Sequence, residues 1–165
     1  MKLYDEHLRW MYRGNRPNRL AKFLNKSSAF LFGLGIGPKR VAALEVEGRS
    51  SGRPISFPVV IADLDGERYL VSMLGENTNW VRNVRAADGH AVLRHGVREV
   101  VQLDEVPAAD RAPILRRYLA LAPGARPHFP IDRDAPLDAF EEIASDFPAF
   151  RISVATRNRS DRSTP

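Results

Sequence analysis

The sequence predicts a mainly β fold with flanking helices (α+β), a small antiparallel barrel and not alternating βαβ layers. Three observations predict it. From Arg40 onward, short β-branched and aromatic runs alternate with turns rich in glycine, proline, asparagine and aspartate. A single helical stretch near residues 77–87 interrupts these runs before residue 106. The other helical patterns fall before the first strand or after the long hairpin, where they flank a sheet and do not connect parallel strands.

Taken in order, residues 1–34 have helical patterning. A short amphipathic piece covers residues 5–12, and Pro17 stands at a helix-start position for a longer one reaching about residue 34. Leu20, Phe23, Leu24, Ser27 and Leu31 share its apolar stripe, while Arg16, Arg19, Lys22 and Lys26 lie largely off it. Such a helix either packs across a barrel or dimer, or lies on an anionic membrane surface. Gly33, Gly35 and Gly37 begin like a dinucleotide fingerprint, but Pro38 follows and no strand precedes them, so they are a linker. Strands are expected at residues 41–47 and 57–62, and Asp65-Gly66 makes a tight hairpin into a strand at 68–73. A helix at 77–87 follows, capped by Asn77 or Thr78. Strands at 91–94 and 97–106 turn near His95-Gly96. A helix at 107–121 ends at Pro123-Gly124, and a proline-rich loop runs to Pro136. A helix at 137–146 and a strand at 150–154 complete the barrel. Three regions result: an N-terminal amphipathic helical segment at 1–39, a barrel domain at 40–154, and a tail at 155–165 without apolar periodicity, expected to be disordered.

Composition narrows the chemistry. A chain of 165 residues buries an ordinary core without staples, and the absence of cysteine excludes disulfides and thiolate chemistry. The net charge of +5 favours an anionic partner, whether phosphate, a carboxylate-rich cofactor, nucleic acid or an acidic membrane. Nucleic acid ranks last, because no aromatic residues interleave with the arginines on an open sheet face. His7, His90, His95 and His128 have no metal-ligand spacing, and His90 and His95 point to opposite faces of one strand, so no metal is expected. No charged-then-apolar leader is evident and the apolar run at 29–36 is too short to span a bilayer. The expected location is cytoplasmic, with membrane association only through the N-terminal helix.

Gly48-Arg49-Ser50-Ser51-Gly52 fits the G-x-S-x-G pattern of a serine nucleophile elbow. That elbow is a strand-to-helix turn. Here Pro54 and Pro58 exclude a helix and an extended run follows, so the element is strand–turn–strand. What remains is a basic, polar loop whose N–H groups suit an anion.

The segments Leu44-Glu45-Val46-Glu47-Gly48-Arg49-Ser50-Ser51-Gly52, Phe57-Pro58-Val59, Tyr69-Leu70-Val71-Ser72 and Asn79-Trp80-Val81-Arg82-Asn83-Val84-Arg85-Ala86, in this order, resemble the deazaflavin (F420)-dependent nitroreductase family. The resemblance implies a split β-barrel of the FMN-binding, pyridoxamine-phosphate-oxidase-like kind. It implies F420 as cofactor, with FMN as the alternative, and hydride transfer to an apolar acceptor of quinone, enoyl or nitro type. By motif position Arg49, Ser50, Ser51 and Gly52 form the phosphate cradle, Pro58 lines the ring site, and Trp80 lies near ring or substrate. Arg82 and Arg85 meet the carboxylates of the cofactor tail, and Asn83 on the same helix counts among the cofactor-binding residues, its residue-level reading being a cap or a bridge to backbone. Ser72 and His128 are the candidate proton donors. Three departures stand out: Ala125-Arg126-Pro127-His128-Phe129-Pro130 where tyrosines are usual, Ser50 where lysine is common, and Met73-Leu74-Gly75 in place of a longer, lysine-bearing loop. They leave open a non-enzymatic fatty-acid, haem or flavin binding protein on the same barrel. Monomer and homodimer are both compatible with the family.

Overall fold

The computed structural model describes residues 40–155; the expectations for residues 1–39 and 156–165, the amphipathic helix and its membrane contact included, lie outside the described residues. Seven strands form one antiparallel sheet: β1 (Val41–Glu47), β2 (Pro54–Val60), β3 (Ala62–Leu64), β4 (Glu67–Val71), β5 (His90–His95), β6 (Val97–Glu105) and β7 (Ala149–Val154). Helix α1 (Asn79–Ala86) follows β4, while α2 (Ala112–Leu121) and α3 (Leu137–Ile143) lie between β6 and β7. The sheet order is β2-β1-β5-β6-β7-β4-β3. Its two edge strands, β2 and β3, are separated by Ile61 alone. A single residue cannot span a flat sheet of seven strands about 4.8 Å apart, so the sheet curls until its edges meet. This is the split β-barrel.

Alternation along the strands divides the core in two. Leu44, Leu70, Leu93, Val101, Phe150 and Ile152 point inward, where Val81 and Val84 of α1 join them. Ala62, Val71 and Ala149 point outward and meet Leu115, Leu119 and Phe140 of α2 and α3. Burying an apolar side chain of this size contributes about 1.5–3 kcal/mol.

The turns follow their sequences. Asp65 (φ 51°) and Gly66 (φ 82°) both occupy the left-handed region that the tight hairpin between β3 and β4 requires. Helix α1 ends with Gly89 N–H donating to Val84 C=O at 2.9 Å and Asp88 N–H to Arg85 C=O at 3.3 Å, a Schellman pair. The strand expected at 57–62 divides at Ile61 into β2 and β3, and other boundaries moved as well. β2 begins at Pro54, because its partner Glu47 is still in register there. β4 ends at Val71, because Ser72 N–H still reaches Pro148 C=O at 2.9 Å but Pro148 has no N–H to return. The helix expected at 107–121 divides into a 3-10 turn at Ala108–Asp110 and α2, and α3 stops at Ile143. Among the described residues no helix is long and apolar enough to cross a membrane.

Candidate functional site

The β1–β2 loop is built from within. Gly52 N–H donates to Gly48 C=O at 2.8 Å, Gly48 N–H to Arg53 C=O at 2.9 Å, and Gly52 takes φ 62°. A Cβ on Gly48 would sit 2.6 Å from Ser51 Oγ and 2.9 Å from Ile55 Cδ1, so a larger residue there would displace both side chains, while the φ of Gly52 is the one that favours glycine. The loop docks on α1 through one side chain. Arg49 Nη1 donates to Asn83 Oδ1 at 2.8 Å, its backbone N–H reaches the same oxygen at 3.4 Å, and Nη2 reaches Asn79 Oδ1 at 3.3 Å. Asn83 is buried, and the backbone bridge expected of it is this contact.

Charge is distributed unevenly around the barrel. Arg68 pairs with Glu99, Arg94 with Glu45, Arg117 with Asp63 and Arg151 with Asp104. Arg49 and Arg82 are held instead by neutral amides, Arg82 Nη2 donating to Asn77 Oδ1 at 2.8 Å, and neither has a carboxylate partner among the described residues. Arg53 adds a third cation at the loop. Ser50 is exposed, and among the described residues no protein group takes its N–H or hydroxyl. The acid nearest the loop is Glu47, whose carboxylate lies 3.8 Å from the Cβ position of Gly52. The N–H groups of Arg49, Ser51 and Gly52, expected to face an anion, are taken by Asn83 Oδ1 and Gly48 C=O, so the donors left to a phosphate are the Ser50 N–H, the serine hydroxyls and the arginine side chains.

Arg85 lies apart from this face. It donates to Glu105 through Nε at 2.9 Å and Nη2 at 2.8 Å, and to Glu76 through Nη1 at 3.1 Å. Donating to Glu105 raises the already high pKa of Arg85 further, and accepting from Arg85 holds the Glu105 carboxyl below the usual carboxylate range. Sequence reading assigned Arg85 to cofactor carboxylates; the protein's own carboxylates occupy it. Trp80 is half-buried between Phe57 (6.0 Å between ring centroids) and Phe150 (5.4 Å). Pro58 is half-buried on β2 opposite Ala43.

Beyond the N-terminal end of α1 lies a pocket of about 380 Å³, lined by Met73, Leu74, Gly75, Glu76, Asn77, His128, Asp146 and Phe147. Two of the sequence departures, Met73–Gly75 and His128, therefore meet in one place. Phe147 stacks on Phe129 at 4.0 Å, fixing the apolar wall. Asn77 belongs to the pocket and accepts from Arg82, so pocket and basic face adjoin. Ser72 sits behind the wall. It is fully buried, donates to Gly75 C=O at 2.7 Å and lies 3.2 Å from Thr78 Oγ1. Glu76, Asp146 and Phe147 escaped sequence reasoning, for they carry no motif and converge only through the fold.

A family model described as F420H(2)-dependent quinone reductase matches residues 21–137. The chain belongs to that family. F420 is the cofactor of the F420H(2)-dependent quinone reductase family, and the unneutralised arginines and exposed Ser50 fit its phosphate. Comparison with curated proteins finds no match. Among solved structures, a protein of unknown function from Agrobacterium tumefaciens is 17% identical with a TM-score of 0.52; the alignment covers 78% of this chain and 54% of that one. The family member thus spans about half the length of the Agrobacterium protein. A structure described as a domain-swapped dimer is 14% identical with a TM-score of 0.50, covering 82% and 94% of the two chains. An F420-H2 dependent reductase is 17% identical with a TM-score of 0.45, covering 70% and 95%. At these identities the first two likenesses concern the fold alone.

Proposed function

We propose that this protein reduces an apolar, quinone-type acceptor at the expense of reduced F420. The observation that carries this is the pair Arg49 and Arg82, oriented by amides and left without carboxylates beside a partly apolar pocket. Reduced F420, when bound, supplies the hydride, and the acceptor takes it up with a proton. Arg49, with the Ser50 N–H and the hydroxyls of Ser50 and Ser51, holds the phosphate, Gly52 shapes the turn, and Arg82 extends the positive face toward the tail. Asn83 aims Arg49, and Pro58 and Trp80 back the ring. Met73, Leu74 and Phe147 supply the apolar part of the surface against which the acceptor lies. His128 is the proton donor of this scheme because its ring borders the pocket. Ser72 has its proton committed to Gly75 C=O and holds the wall in place.

The test is a titration of purified protein with oxidised F420, followed by tryptophan quenching, with FMN and a long-chain fatty acid in parallel. Saturable F420 binding, weakened at least about tenfold by Arg49→Ala as befits a lost charge-assisted bond, is the expected result. Turnover of quinones should follow. Binding of fatty acid or FMN without F420 would discard the function and keep the barrel.

A further inference from the structure

Two arginines from different elements converge on one carboxylate outside the pocket. Glu105 Oε1 accepts from Arg85 Nη2 at 2.8 Å and from Arg111 Nη2 at 3.1 Å, and its Oε2 accepts from Arg85 Nε at 2.9 Å. Each arginine then reaches a different wall of the pocket. Arg85 Nη1 donates to Glu76, which lies on the wall made by residues 73–77. Arg111 Nη1 donates to Ala144 C=O at 3.2 Å and Ser145 C=O at 3.5 Å, directly before the lining residues Asp146 and Phe147, a segment that meets the first where the Cβ position of Gly75 lies 3.2 Å from Asp146 C=O. Arg111 is buried, at 7% exposure, and its Nε is fixed on Val106 C=O at 2.8 Å. Glu105 itself stands on β6 in register with Phe150 of β7, a rigid base for both arms.

We propose that Glu105 is the positioning residue of the acceptor pocket: it sets how the two lining segments sit against each other and so the width of acceptor admitted. It rests on the acceptor reduction proposed above. The physical reason is charge balance. With the carboxylate present, two guanidiniums share one anion and draw both walls toward the end of β6. Without it, two adjacent cations repel and the buried Arg111 loses its only charged partner among the described residues. Glu105 does not line the pocket, so its effect on the acceptor is exerted entirely through the walls.

Glu105→Gln tests this with two probes of different width, 1,4-benzoquinone and 2-methyl-1,4-naphthoquinone. The variant should bind F420 within about twofold of wild type, yet shift the ratio of kcat/KM between the two quinones by about tenfold, the scale on which pockets sense small size changes. Calorimetric titration of the naphthoquinone into protein without F420 should show the same change in Kd. Unchanged selectivity and an unchanged naphthoquinone Kd would overturn the inference. If wild type fails to bind F420, the reductase reading falls, and the calorimetric arm still decides the role of Glu105. Should Glu105→Gln fail to fold, Arg85→Met on exposed α1 cuts one arm alone. Altered selectivity with intact F420 affinity supports the hub, whereas lost F420 affinity or unchanged selectivity overturns it.

Discussion

Asn83→Asp separates the charge of the basic face from its shape. Asn83 is 3% exposed, and its Oδ1 lies 2.8 Å from Arg49 Nη1 and 3.4 Å from the Arg49 backbone nitrogen. The substitution keeps every heavy atom in place and converts an amide oxygen into a carboxylate, so Arg49 stays oriented while its charge is cancelled. The desolvation of the new carboxylate and its attraction to Arg49 nearly offset one another, and stability should stay within about 1 kcal/mol of wild type. Anion binding should not survive so well. A negative charge about 6 Å from a bound phosphate costs about 0.7 kcal/mol at the dielectric of water and about 2.8 kcal/mol at the value of about 20 that suits protein surfaces. F420 affinity therefore falls about 3- to 100-fold, more steeply at low salt, because the interaction is partly screened. The assay is the quenching titration at two salt concentrations, with a thermal melt as control. An F420 affinity equal to wild type, with the melting temperature unchanged, would refute the placement of the phosphate beside Arg49.

Other perturbations reach the fold and its ion network. Phe140 is fully buried between α2, α3 and the sheet, so Phe140→Ala should cost about 3–5 kcal/mol in urea unfolding. Gly89→Ala should cost about 2–4 kcal/mol, since φ is +80° and the added Cβ would lie 2.5 Å from Leu103 C=O; loss of the β5 entrance in hydrogen exchange would accompany it. Glu105 has its pKa depressed by Arg85, so its share of stability is present above the unfolded value of about 4.3 and is lost as pH falls through the lower folded value. Denaturation midpoints of wild type and Glu105→Gln should accordingly differ at pH 7 and draw together progressively as pH falls below the unfolded value.

Local chemistry made much of this molecule legible. Pro54 and Pro58 excluded a helix after the glycine loop, Asp65-Gly66 specified a tight turn, and period-two alternation marked the strands, because each depends on neighbours a few residues away. The motif residues of the loop and of α1 were legible in the same way, and the family match spans both segments. The side chains' partners were not. Arg85 looked like any basic residue on a helix face until the fold brought Glu105, twenty positions along, against it. Arg49 acquired its aim from Asn83, thirty-four positions away, and the pocket gathered residues 73–77, 128 and 146–147. Sequence by itself determined which segments become strands, turns and helices, and hence the barrel, since backbone conformation answers to local sterics and alternation. Which arginines stay charged toward a ligand, and which are spent inside the protein, was decided by tertiary structure alone. An ion pair depends on distances of a few ångströms, and only the curled sheet sets those between residues far apart in the chain.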